Sequence, residues 1–331
     1  MPPTSIDGTD ISGATIDGTE VSEITVDGDV VFSASQTLNV LAFHDNSGGL
    51  FLKQYSNGSY SDIRSYTGTG VSTFNKLSID TSQEKVVGAF SSNSAQIFDI
   101  NQSNETTSDS TGGSTYVVDI SPDMTEMIVL GDAADAHVFD MSDYSVKTTF
   151  SSDNSSVSNS SEATYSPDGS QIAITAGGTT EIIETTNYTQ EQQISNGDLR
   201  VRWKPDGSEL AVGSNPVEIY DTSTWNSLGT LSNTTQPDGL AYSKDGNLIG
   251  VADDSENNFQ IYDAGTYSQQ DSISKSGGML SVAFSPDNNH VAFGGRTGSV
   301  YIHEVDTVNG TLGNQVQTYS VADRPYDMRF Q

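Results

Sequence analysis

The 331-residue sequence predicts an all-β chain in which one small antiparallel sheet is repeated around a ring. Three observations predict it: a strand-and-turn motif that returns about every forty residues, an apolar strand ending in an acid after each copy, and a closing strand with nothing behind it. The motif reads Val117-Val118-Asp119-Ile120-Ser121-Pro122-Asp123, then Ala163-Thr164-Tyr165-Ser166-Pro167-Asp168-Gly169, then Val201-Arg202-Trp203-Lys204-Pro205-Asp206-Gly207. It continues as Leu240-Ala241-Tyr242-Ser243-Lys244-Asp245-Gly246 and Val282-Ala283-Phe284-Ser285-Pro286-Asp287-Asn288, with Leu77-Ser78-Ile79-Asp80 as a degraded copy. Alternating apolar residues make a strand. The Pro-Asp-Gly that follows makes a tight turn, because Pro presets φ and Gly accepts φ > 0.

The second anchor follows each copy: Ile97-Phe98-Asp99, Val138-Phe139-Asp140, Ile182-Ile183-Glu184, Ile219-Tyr220-Asp221, Ile261-Tyr262-Asp263 and Ile302-His303-Glu304. Between the anchors lie apolar stretches such as Ile172-Ala173-Ile174 and His290-Val291-Ala292-Phe293. About forty residues holding four short strands is one blade of a β-propeller. Inner strands near 75–79, 116–120, 162–165, 199–203, 239–242, 280–284 and 326–330 give seven blades. The chain enters at Leu38–Phe43 without an inner strand, and Tyr326-Asp327-Met328-Arg329-Phe330 supplies it. Pairing the two ends removes the exposed sheet edge. Over residues 35–331 these motifs resemble WD-repeat and YVTN-type propellers, although Phe-Asp, Tyr-Asp and Ile-Glu stand where the Trp-Asp pair is usual.

Residues 1–33 follow another rule and form a separate segment before the propeller of 34–331. Ile6-Asp7-Gly8-Thr9, Ile16-Asp17-Gly18-Thr19 and Val26-Asp27-Gly28-Asp29 recur ten residues apart, each Asp-Gly set between β-branched residues as a hairpin turn requires. Three such units hold too little apolar surface to fold alone, which points to order gained in a homo-oligomer or against a partner chain. The segment resembles the short Asp-Gly-Thr repeats at the starts of virion proteins, vertex or tail, of haloarchaeal tailed viruses. Its start lacks the basic and apolar regions of a signal peptide.

Composition bounds the partners. With 44 Asp and Glu against 13 Lys and Arg, the formal charge is −31, so the chain repels nucleic acid and anionic lipid. No apolar run approaches the ~18 residues of a membrane span. The absence of cysteine removes disulfides, thiolate metal sites and a thiol nucleophile. Asp outnumbers Glu 31 to 13, and only 7 lysines occur. This balance resembles proteins of extreme halophiles, where molar salt screens self-repulsion within ~3 Å.

The same residues hold the candidate sites. Asp7, Asp17, Asp27 and Asp29 lack the ligand order of a calcium loop and read as turn residues. His44, His137, His290 and His303 fall at non-equivalent places and suggest no metal. No nucleophile elbow or phosphate loop occurs, and the expectation is a non-enzyme without cofactor. Arg200 and Arg202 alternate along one inner strand, with Arg329 equivalent to Arg202 in the closing strand. Cations lining the channel could hold an acidic sugar or sulfate, or serve as partners of buried acids such as Asp119 and Asp327. Tyr144, Tyr188, Trp225 and Tyr267 each lie four residues after an acidic anchor, on the same turn of four consecutive blades. Rings along one rim could stack on sugars or a protein surface, or pack over their own blades.

These features predict a virion surface protein of a haloarchaeal tailed virus, a capsid vertex turret or tail fibre assembled in the host cytoplasm. Residues 1–33 would bind other virion proteins, and the propeller would reach a host S-layer glycoprotein or its glycans. The alternative is a protein-interaction scaffold in the cytoplasm of a halophilic archaeon.

Overall fold

A computed structural model describes residues 15–16, 19–20, 23–26, 29–33, 40–44, 49–56, 58–66, 74–80, 85–90, 94–99, 105–107, 114–131, 135–152, 157–158, 161–197 and 199–330. The chain divides into two compact units, Met1–Leu38 and Asn39–Gln331. In the first, Thr15–Ile16 pairs with Thr19–Glu20 and Glu23–Val26 pairs with Asp29–Ser33. The registers join Ile16 to Thr19 and Val26 to Asp29, so each hairpin brackets one Asp-Gly pair. The Asp7-Gly8 repeat lies outside the described residues.

The second unit is a seven-bladed β-propeller of seven four-stranded antiparallel sheets. Blade one is Val40–His44, Leu50–Ser56 and Ser59–Tyr66, with Met328–Phe330 as its innermost strand. Blade two is Phe74–Asp80, Lys85–Phe90, Ser94–Asp99 and Glu105–Thr107. Blade three is Thr115–Ile120, Glu126–Gly131, Asp135–Asp140 and Val146–Ser151. Blade four is Glu162–Tyr165, Gln171–Ala176, Thr179–Glu184 and Thr189–Ile194. Blade five is Val201–Trp203, Glu209–Val212, Glu218–Asp221 and Ser227–Thr230. Blade six is Pro237–Tyr242, Leu248–Asp253, Asn258–Asp263 and Gln269–Ser274. Blade seven is Met279–Phe284, His290–Gly295, Ser299–Asp306 and Thr311–Ser320. The ring closes as the sequence predicts, with Met328, Arg329 and Phe330 opposite Phe43, Ala42 and Leu41.

Burial follows strand rank. Second strands such as Leu248–Asp253 and His290–Gly295 are buried at every position, on both faces. Fourth strands such as Val146–Ser151 and Gln269–Ser274 hold only exposed and half-buried residues. The apolar core is therefore split among the junctions between neighbouring blades. Ala42, Leu50 and Leu52 of blade one meet Leu77, Ile79 and Val86 of blade two, and the pattern repeats to the seam, where Ala292 and Ile302 of blade seven meet Leu41, Phe43 and Met328 of blade one.

The repeated turns are fixed by their carboxylates. In blade four, Asp168 Oδ1 accepts hydrogen bonds from Ser166 Oγ (2.6 Å) and from the Ser170 amide (3.0 Å), while Gly169 adopts φ +74°. Ser121 with Asp123, Ser243 with Asp245 and Ser285 with Asp287 repeat the hydroxyl contact. The third-to-fourth turns use the anchor acid in the same way: Asp221 accepts from the Ser223 and Thr224 amides, and Asp263 from those of Gly265 and Thr266. Blade seven departs from the predicted anchor at Glu304. Register shifts at Ile302/His303 and His303/Val305 carry the strand two residues further, and Asp306 caps the turn.

Hydrogen bonds to their ionised forms hold Asp123, Asp140, Asp168, Glu184, Asp206, Asp221, Asp263 and Asp306 below the ordinary carboxylate range. A carboxylate whose native value lies below its unfolded one stabilises the fold above the unfolded value. That contribution is lost as pH falls through the native value. The urea midpoint, followed at fixed salt, should therefore hold at neutral pH and fall progressively below about pH 4. A midpoint insensitive to acid would show that these turns add no stability.

Candidate functional site

The channel is lined by the middle residues of the inner strands. Register aligns Ser78, Asp119, Thr164, Arg202, Ala241, Ala283 and Arg329, which face Val87, Ile128, Ala173, Ala211, Gly250, Ala292 and Ala42 on the second strands. Arg202 and Arg329 thus occupy equivalent positions, as the sequence predicts. Arg200 immediately precedes its strand, is 4% exposed, and donates to the Leu199 carbonyl at 3.2 Å.

Both aligned guanidinium groups meet the protein's own acids. Glu162 of blade four, 1% exposed, is 2.5 Å from Arg202 Nη1 of blade five and 3.3 Å from Arg329 Nη2 of blade one. The second contact crosses the ring, since blades one and four are not neighbours. Arg329 Nη1 also reaches Asp327 Oδ1 at 3.0 Å. Burial pulls the Arg329 guanidinium down, but Asp327, Glu162 and Asp119 more than offset this and hold it above its ordinary value. Burial pushes the Asp119 carboxyl up.

These acids also fasten one inner strand to the next. Glu162 Oε2 accepts the Val201 amide (3.1 Å), Asp327 Oδ2 that of Leu77 (3.0 Å), and Asp119 Oδ2 that of Tyr165 (2.9 Å). Each carboxylate bridges to the following blade, whose inner strand belongs to a different sheet. In this structure the channel arginines are engaged in closing the ring, and an anionic ligand would have to displace Glu162 from both of them.

The four rim aromatics share a backbone state. Tyr144, Tyr188, Trp225 and Tyr267 have φ between 56° and 60°, a left-handed conformation that bulky residues seldom adopt. The amides of Tyr144, Trp225 and Tyr267 return to the carbonyls of Asp140, Asp221 and Asp263 at 2.7–2.8 Å. In blade seven the same place, four residues after Asp306, is held by Gly310 with φ +67°.

Each ring is half-buried at a blade junction. Tyr188 stacks on Phe150 of blade three with centroids 5.7 Å apart, and its hydroxyl donates to Glu126 Oε2 at 2.6 Å. Tyr267 lies over Gly229 of blade five, where a Cβ would approach its ring to 3.0 Å, with Glu209 of that blade close to its hydroxyl. Burial, then Glu209, pushes the Tyr267 hydroxyl up to about 12. Trp225 meets Trp203 edge-on at 6.2 Å, and Tyr144 packs against the core between blades two and three. Glu126 and Glu209 each open the second strand of their blade, and at the seam His290 holds that position, 4.5 Å from the Tyr55 ring. Sequence reasoning passed over Glu126 and Glu209, although each stands at the same strand start three residues after a turn Asp.

Among the described residues no group of three or more His, Asp or Glu side chains converges as a metal site.

Two outcomes follow from this geometry. Glu162→Gln removes the shared counter-charge of two half-buried guanidinium groups and should lower the unfolding free energy by about 1.5–3 kcal/mol, measured by urea denaturation. A loss under about 1 kcal/mol would mean that water screens the channel. In a double-mutant cycle, Tyr188→Phe and Glu126→Gln should each weaken the fold by roughly 1 kcal/mol and fail to add. Strict additivity would deny the junction bond.

No protein-family model matches the chain, and no curated protein matches its sequence.

Proposed function

We propose that the protein is a surface component of a haloarchaeal tailed virus, a vertex turret or tail fibre, that presents its propeller to the host cell. The observation that carries this reading is the division of labour along the chain. The ring is closed by its own strand at Met328–Phe330, so the hairpins of the first unit are not needed for closure. They hold two-residue and four- to five-residue strands, too short to bury a core alone, and order in a symmetric assembly would supply the missing surface. The −31 charge suits an exterior bathed in brine, where screening removes the self-repulsion that dilute buffer would leave. A propeller is a rigid display surface: its loops sit at two ends of a closed scaffold and can vary without disturbing the junctions.

Deleting residues 1–33 should leave a protein that still unfolds cooperatively but no longer enters particles, read by mass spectrometry of purified virions. Incorporation of the shortened chain would remove the anchoring role. Complete absence of the full chain from virions would favour the cytoplasmic scaffold.

A further inference from the structure

At the end of blade six opposite the Pro-Asp-Gly turns, the loop at 231–236 and the third and fourth strands enclose a groove of about 330 Å³. Its walls are Asn233, Thr235, Glu256, Asn258, Gln260 and Gln269, with no apolar side chain among them. We propose that this groove binds a neutral sugar residue, which rests on the attachment reading above for its biological source but not for its chemistry.

The walls are held by a buried layer. Asp253 is fully buried, and its Oδ2 accepts the amides of Thr235 (2.6 Å) and Gln236 (3.1 Å) while Oδ1 accepts that of Glu256 (3.0 Å). One carboxylate therefore pins both the interblade loop and the hairpin opposite it. Gln260, 1% exposed, donates through Nε2 to the Asn233 carbonyl and to Asn258 Oδ1, both at 3.0 Å, with the Tyr262 hydroxyl against its Oε1. Asn233 takes φ +63° and donates through Nδ2 to Gln269 Oε1 at 3.1 Å. The side chains facing the groove are thus oriented before any ligand arrives.

The polar capacity left over has a definite character. Asn258 Nδ2 and Gln269 Nε2 are donors, and Asn233 Oδ1 and Glu256 Oε2 are acceptors, that make no hydrogen bond to other described residues. Fixed donors beside fixed acceptors match hydroxyl groups, which both give and accept hydrogen bonds. An anion is disfavoured by Glu256 and by Asp254, whose neighbouring cation Arg296 is already bound to it. A metal ion would find one carboxylate on the wall, because the oxygens of Asp253 are engaged with amides. Blade five differs at the equivalent place. Register puts Glu218 and Tyr220 where blade six has Gln260 and Tyr262, and there Asn196 Nδ2 donates directly to Glu218 Oε2 at 2.8 Å.

The test uses the full chain in molar KCl and saturation-transfer difference NMR. The probes are methyl glucoside, methyl mannoside and methyl galactoside, set against glucuronate and galactose sulfate. At least one neutral glycoside should bind, the anionic sugars should not, and Asn258→Ala or Gln269→Ala should each weaken binding about tenfold, the scale of one lost hydrogen bond, while the chain still unfolds cooperatively in urea. No neutral binding, binding indifferent to both substitutions, or equal binding of the anionic sugars would overturn the proposal. Adsorption of particles carrying Asn258→Ala separates the two readings. Normal adsorption with lost sugar binding keeps the groove and removes its part in attachment. A chain required for adsorption that binds no neutral glycoside keeps attachment and removes the groove.

Discussion

A four-stranded antiparallel sheet has two faces and is too narrow to fold over either of them. Each blade here needs a neighbour on both sides, and only a closed ring gives every blade two. The second strands register this demand most directly, since residues such as Ile249, Val251, Val291 and Phe293 are apolar and fully covered. The strand at Met328–Phe330 is consequently more than a finishing piece. Without it the row of groups on Val40–His44 would be an open edge, and the last junction would lose Met328.

Closure sets the polar chemistry as well. Inner strands of neighbouring blades belong to separate sheets, so their facing backbone groups need another partner. Asp119, Glu162 and Asp327 supply it, and two arginines pair with Glu162 and Asp327 in the channel. Near the rim, the tyrosine–glutamate contacts do similar work at junctions three/four and five/six. Arg202, Arg329, Tyr188 and Tyr267 thus make contacts between blades, while polar side chains line the groove on blade six.

The acidic surface has an ordered component. Many of its carboxylates cap turns, where serine and threonine hydroxyls and backbone amides satisfy the ionised form. Others are buried among backbone amides and guanidinium groups, as Glu162, Asp253 and Asp327 are. The turn carboxylates stand at the ends of strands, where salt can screen their mutual repulsion.

How much was legible depended on whether the signal was local. Ser-Pro-Asp-Gly turns, apolar strands at a forty-residue spacing and the unpaired strand at the C-terminus are contiguous patterns, and they determined the blade count, the closure and the Asp-Gly hairpins of the first unit. The equivalence of Arg202 and Arg329 was readable for the same reason. Their partner was not: Glu162 and Arg329 are 167 residues apart and meet only because the ring brings blades one and four face to face across the channel. Nor could spacing show that the rim aromatics turn their rings into the junctions, although Gly310 at the equivalent site of blade seven is the trace of a positive φ. The bulged third strand of blade seven moved its anchor to Asp306, because register there answers to its neighbours and not to the motif. The sequence by itself determined the repeated sheet and its turns, which are written in adjacent residues. Only the tertiary structure decided which charges face one another and which remain open, because those distances are set by closing the ring.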